Sequence, residues 1–187
     1  MANKPLPSQE ALRQLLDYDP ETGSLAWRHR AVQWFEPSPT RTAEHIQALW
    51  NARYANAEAL TTLTRDGYRH GHVLEGLHRA HRVIWKWMTG EEPEQVDHIN
   101  GVRSDNRWLN LRNVTWAENA KNHKRRSDNT SGSTGIYWYR HARKQGKWLA
   151  KIGGEHIGYF HCLGQAVRAR KVAERRLGFH ENHGRAA

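Results

Sequence analysis

The sequence predicts an α+β protein in two parts, and three observations carry that prediction. Apolar residues recur at helical spacing in some stretches and alternate at strand spacing in others. A polar, glycine-bearing stretch over residues 127–134 interrupts both patterns and reads as a linker. Charge divides along the chain: residues 1–119 carry 14 basic and 15 acidic side chains, whereas residues 120–187 carry 15 and 4. All the excess behind the net charge of +10 therefore lies in the last third of the chain. The expected organisation is a supporting helix and strand region over 1–66, a small module over 67–126, the linker, and a three-stranded antiparallel sheet with one packed helix over 135–187.

Composition excludes several classes. The 187 residues suffice for one ordinary domain or two small ones, and 37% apolar content with a mean hydropathy of −0.92 makes for modest cores. No apolar run is long enough to span a membrane, and Met1-Ala2-Asn3-Lys4-Pro5 leads into a polar amphipathic stretch, so a soluble, cytoplasmic protein is expected. The single cysteine, Cys162, leaves neither an intramolecular disulfide nor a multi-cysteine zinc site.

The elements follow in order. Ser8 caps a helix over residues 8–17 that places Leu12, Leu15 and Leu16 on one face. Residues 19–23 form a turn into a short strand over 24–28. Residues 31–60 resist assignment, with Pro37 and Pro39 marking a loop. A strand is expected over 67–73. Ala80, Val83, Ile84 and Trp87, at i, i+3, i+4 and i+7, then predict an amphipathic helix running to Gly90. His81 reads as a half-buried residue of its first turn, without a catalytic part. Trp85, Trp87, Trp108 and Trp116 fall at apolar positions and are expected in core or hinge packing.

Residues 97–122 hold the densest chemistry: Asp97-His98-Ile99-Asn100-Gly101, then Asp105-Asn106-Arg107, Asn110-Leu111-Arg112, and Asn119 with Asn122. Phosphodiester hydrolysis with one metal ion needs hard ligands for a divalent cation, a neutral imidazole to deprotonate water, and a rigid support for that imidazole. Asp97 and His98 are adjacent, so on a strand their side chains leave opposite faces. Asn119 and His123 are four apart and share a face on a helix beginning near Thr115. Taken locally, Asn100-Gly101 reads as a tight hairpin turn, and Asp-His is a common dipeptide.

The ordered pattern resembles the HNH, or ββα-metal, nuclease motif of the endonucleases of phages and group I introns. The resemblance implies Asp97 and Asn119 as ligands of one magnesium or manganese ion, His98 as general base, Asn110 as the brace of the loop between two strands, and His123 as a further ligand or phosphate contact. Arg82, Arg107 and Arg112 would be DNA contacts. Asn119 is histidine in many relatives; a carboxamide oxygen is a hard, neutral ligand that favours magnesium or manganese over zinc.

Beyond the linker, strands are expected over 135–140, 147–152 and 155–160, with a helix over 164–177 whose Ala166, Ala169, Ala173 and Leu177 share a face. Gly135-Ile136, Lys147-Trp148, Ala150, Ile152 and Gly158-Tyr159-Phe160 resemble the AP2 DNA-binding domain, in which a three-stranded sheet enters the major groove. Alternation turns Ile136, Trp138, Trp148, Ala150 and Ile152 toward the helix and Tyr137, Tyr139, Lys151 and His156 outward, with Arg140, Arg143, Lys144 and Lys147 around the first turn suited to phosphates. Together the likenesses imply a metal-dependent endonuclease of nicking or homing type on double-stranded DNA, acting as monomer or homodimer. A non-catalytic DNA-binding regulator, and an RNA-binding or RNA-cleaving protein, are the rival classes.

Overall fold

The computed structural model describes residues 5–121, 125–141, 144–179 and 183–184. The chain divides into two compact units, residues 1–114 and 115–187. The first unit thus unites residues 1–66 with the strands of the expected nuclease module. The stretch over 127–134 lies inside the second unit, because the chain enters that unit at a capped helix starting after Thr115.

In the first unit, Ser8 accepts a hydrogen bond from the Ala11 N–H and starts α1 (Gln9–Leu15). The chain then pairs β1 (Leu16–Tyr18) with β2 (Leu25–Trp27) in an antiparallel hairpin. A helix that the sequence left unassigned, α2 (Ala43–Tyr54), follows, capped by Thr42. It buries no residue completely; instead Trp50 packs against Trp27, Phe35 and Tyr54, and the Arg30 guanidinium lies over Trp27 and Trp50 at 4.8 and 3.9 Å from the ring centroids. A small sheet of order β3 (Thr62–Leu63), β4 (Arg69–Val73), β5 (Gly76–Arg79) leads into α3 (Ala80–Thr89). Gly90, at φ 82°, ends that helix, its N–H donating to the Lys86 carbonyl.

One core unites these pieces: Leu12, Leu15 and Leu16 with Val73, Val83 and Ile84, flanked by Trp85, Trp87 and Trp108. The Trp87 Nε1–H donates to the Leu16 carbonyl at 3.1 Å, so the ring joins α3 to the hairpin while its indole stays satisfied. The unit closes with the antiparallel pair β6 (Gln95–His98) and β7 (Leu111–Val114). Asn100-Gly101 does not close a tight hairpin between them. It opens a long loop over 99–110 that ends in a 3₁₀ turn, Trp108–Asn110.

The second unit begins with α4 (Trp116–Ala120) and continues with β8 (Ile136–His141), β9 (Lys144–Ile152) and β10 (Glu155–Phe160) in an antiparallel sheet of order β10-β9-β8, and α5 (Leu163–Arg176). Ile136, Ala150 and the small Ala166 allow α5 to pack closely on one sheet face. Two expectations need correcting. Trp138 lies 49% exposed, past the end of that cluster, and packs edge-on against Trp148 at 5.0 Å. Trp116 is 73% exposed on the first turn of α4, where no core reaches it. The packed face of α5 also carries a pair that its alanine spacing concealed, buried Arg170 and Glu174, with Nε to Oε1 at 3.0 Å. Among the described residues no helix is long and apolar enough to cross a membrane.

Candidate active site

The β6–β7 register sets Asp97 opposite Arg112 and His98 opposite Leu111. Adjacent positions of a strand point to opposite faces, so Asp97 and His98 enter different environments. Asp97 is held by Arg112, whose Nε and Nη2 both donate to one carboxylate oxygen, at 3.0 and 2.7 Å. His98 turns inward with Val96 and is 3% exposed.

Inside, the His98 ring meets three side chains. Its Nε2 lies 3.1 Å from the Asn106 Oδ1. An amide oxygen only accepts, so in this arrangement Nε2 carries the proton and Nδ1 is the basic nitrogen. His81 packs edge-on at 5.2 Å between ring centroids and Tyr68 lies at 5.9 Å, with 5.0 Å between Tyr68 and His81. Burial lowers the pKa of His98 below the ordinary histidine value, against the opposing pull of the Asn106 hydrogen bond and the charges of Asp97 and Asp105. Burial pushes His81 well below it, with His98 and Arg79 adding to the effect. His81, expected half-buried, is therefore a buried neutral ring against His98.

The loop over 99–110 is a hydrogen-bonded frame. Asn110 spans it, accepting from the Asn100 N–H at 2.9 Å and donating to the Asp105 carbonyl at 2.7 Å. The Asn100 side chain donates to Asp105 at 2.7 Å and accepts from the Val102 N–H at 2.8 Å. Arg107 grips Asp105 through Nε and Nη2 at 2.8 and 2.6 Å, which holds that carboxyl down at about 2. From outside the loop, the Tyr18 hydroxyl donates to the Asn106 carbonyl at 2.8 Å. Gly23, at φ +77°, lets the β1–β2 turn press on the same place; a Cβ there would stand 2.5 Å from backbone atoms of Asn106 and Arg107.

Residues 78–121 match the family model of the HNH endonucleases. This HNH segment contains Asp97, His98, Asn106, Asn110 and Asn119, together with His81, and the match supports a nuclease, a hydrolase acting on nucleic acid. Comparison with curated proteins and with solved structures gives no match.

The other sequence-nominated residues of the HNH segment fall as follows. Arg82 donates to Glu92 at 3.0 Å and to the Glu94 carbonyl, so it, like Arg107 and Arg112, is engaged by a carboxylate. Asn119 stands on α4 in the second unit, behind a capping box in which Thr115 and Glu118 satisfy each other's N–H groups. His123 lies outside the described residues, as does Arg143. Among the described residues no three His, Cys, Asp or Glu side chains converge as a metal site. The nominated donors, a carboxylate that already accepts the positive charge of Arg112 and a carboxamide, suit a hard divalent cation rather than zinc.

In the second unit, register puts Tyr137, Tyr139, Lys147, Lys151 and His156 with Leu149 and Tyr159 on the sheet face opposite α5. Tyr139 and His156 pack against Tyr159 at 5.3 and 4.7 Å. Arg140 is exposed at the bulged end of β8. Sequence reasoning missed Asn106 as the partner of His98, and Tyr68 and His81 as its surround. Asn106 stood inside the quoted motif, and His81 stood beside Arg82, but neither spacing states a contact.

Proposed function

We propose that this protein is a metal-dependent DNA endonuclease of nicking or homing type, with His98 as general base. The observation that carries the reading is a buried, neutral imidazole whose Nε2–H is taken by Asn106, within the HNH segment. His98 Nδ1 takes a proton from water, the water oxygen bonds to phosphorus, and the bond to the 3′ oxygen breaks with its electron pair going to that oxygen, which takes a proton from solvent, leaving 5′-phosphate and 3′-hydroxyl ends. Asn110 keeps the loop that carries Asn106 in shape. Asp97 and Asn119, with His123 as a further donor, would hold one magnesium or manganese ion, which when bound supplies positive charge to the phosphate and the departing oxygen.

The C-terminal unit places the enzyme. Its three-stranded antiparallel sheet, backed by α5 and bearing tyrosines and lysines on the other face, supports an AP2-like mode of DNA binding. One site addresses one strand, so a monomer nicks, and a double-strand break takes a dimer or two events.

The test is conversion of supercoiled plasmid to nicked or linear forms with magnesium, with manganese and with EDTA. The parent chain is expected to cut only with metal, and His98→Ala is expected to abolish cutting while DNA affinity stays nearly unchanged. Tight binding with no cutting under any metal would establish the regulator class instead, and strong preference for structured RNA over duplex DNA would change the substrate.

A further inference from the structure

The arginines nominated from the sequence in the first unit are already spent on carboxylates. Arg107 holds Asp105 at 2.6 Å, Arg112 holds Asp97 at 2.7 Å, and Arg82 holds Glu92 at 3.0 Å. A guanidinium paired with a carboxylate has its charge offset and part of its fork of donors occupied, so it offers a phosphate less than an unpaired one does.

Two other arginines behave differently. Arg79 ends β5 and Arg103 lies in the loop over 99–110, and both side chains reach the ring of Tyr68, with Cζ at 4.6 and 4.9 Å from its centroid. Both are exposed while Tyr68 is half-buried, so the ring is a platform with its cations toward solvent. Arg103 is steadied by a hydrogen bond from Nη1 to the Asp66 carbonyl at 3.0 Å, which costs it no charge. Among the described residues neither arginine has a carboxylate within ion-pair distance.

We propose that Arg79 and Arg103, stacked on Tyr68, form the clamp that holds the phosphodiester backbone beside His98. Two like charges gathered on one ring repel each other, and a bound anion offsets that cost. Contact with the ring holds each guanidinium near His98, and N–H groups not used elsewhere can donate to phosphate oxygens. The location follows from the same ring, since Tyr68 lies 5.9 Å from His98 and 5.0 Å from His81. The assignment rests on the nuclease reading for its substrate, and it adds two phosphate contacts to those nominated from the sequence in the first unit.

The experiment measures binding of the full chain to a short synthetic DNA duplex in EDTA across a salt series, in a His98→Ala background, and cleavage rates in the His98-intact chain. The variants are Arg79→Gln, Arg103→Gln, the two combined, each arginine to Lys, and Arg28→Gln as a loss of one charge elsewhere, at an arginine that faces Asp17. Each phosphate contact contributes about 0.9 to the slope of log affinity against log salt, so the double variant is expected to lose roughly 1.8 and Arg28→Gln nothing. Cleavage by the double variant should fall through kcat, with lysine recovering part of it. Thermal midpoints equal to the parent's establish that the exposed substitutions leave the fold intact; where a glutamine variant unfolds, Arg79→Met or Arg103→Met, which also removes the charge, is read in its place. A double variant with the parental slope overturns the clamp, as does one that loses slope yet cuts at the parental rate. If the parent fails to cut under every metal, the nuclease reading fails, and the salt slope still decides whether these arginines hold phosphate.

Discussion

A histidine serves as a base near neutral pH only while it is uncharged and held in one orientation. Burial and Asn106 provide these conditions for His98. Asn106→Ala leaves the buried Nε2–H without a partner, at a cost of roughly 1–3 kcal/mol, and frees the ring to turn. Cleavage is expected to fall by at least about tenfold, toward the ~10²–10⁴ that a general base contributes. Rates and thermal midpoints together check this, and full activity in the variant would remove Asn106 from the account. Asp97, His98 and Asn110 stood out in the sequence because their types and spacing form a pattern. The partnership of His98 with Asn106 did not, because it depends on how the loop over 99–110 folds back, and the aromatic surround joins residues 68, 81 and 98 from three separate elements.

The loop that carries Asn106 is positioned by an element far away in the chain. Gly23 and Gly67 both adopt positive φ, at +77° and +85°, but a Cβ at Gly67 meets nothing within 4 Å whereas one at Gly23 strikes the backbone of Asn106 and Arg107. Gly67→Ala is expected to cost only the conformational strain of that region, about 1 kcal/mol. Gly23→Ala should cost more and also slow cleavage, through displaced Asn106; comparable loss of activity in both variants would refute the coupling. Among the helices, α1 and α3 were legible since each buries a clear apolar stripe. The helix over 43–54 was not, because none of its residues is fully buried and its packing is aromatic and cationic rather than a stripe. The strand over 76–79 was hidden for a related reason: the residues it buries are a glycine and His78.

Across the whole molecule, the charge division coincides with the division into units: the basic excess falls after residue 119, and the second unit begins at Thr115. A strand-alternating sheet turns part of that excess to one face, where Lys147 and Lys151 stand among Tyr137, Tyr139 and Tyr159. Replacing both lysines by glutamine in the full chain is expected to weaken DNA binding uniformly across sequences and to reduce the salt slope by about 1.8. An unchanged slope would count against this face as the anchor. The effect should add to that of the Arg79 and Arg103 variants if, as proposed, the two groups address different phosphates.

Where the motif lies, which stretches form helix or strand in the second unit, and which half of the chain bears the positive charge were determined by the sequence alone, since period, residue type and charge are properties of neighbours along the chain. The tertiary structure decided which arginines remain free of carboxylates, which asparagine holds His98, and which glycine must be glycine. Those outcomes depend on distances between residues remote in sequence, and a carboxylate or backbone atom a few ångströms away changes what a side chain can do far more than its own identity does.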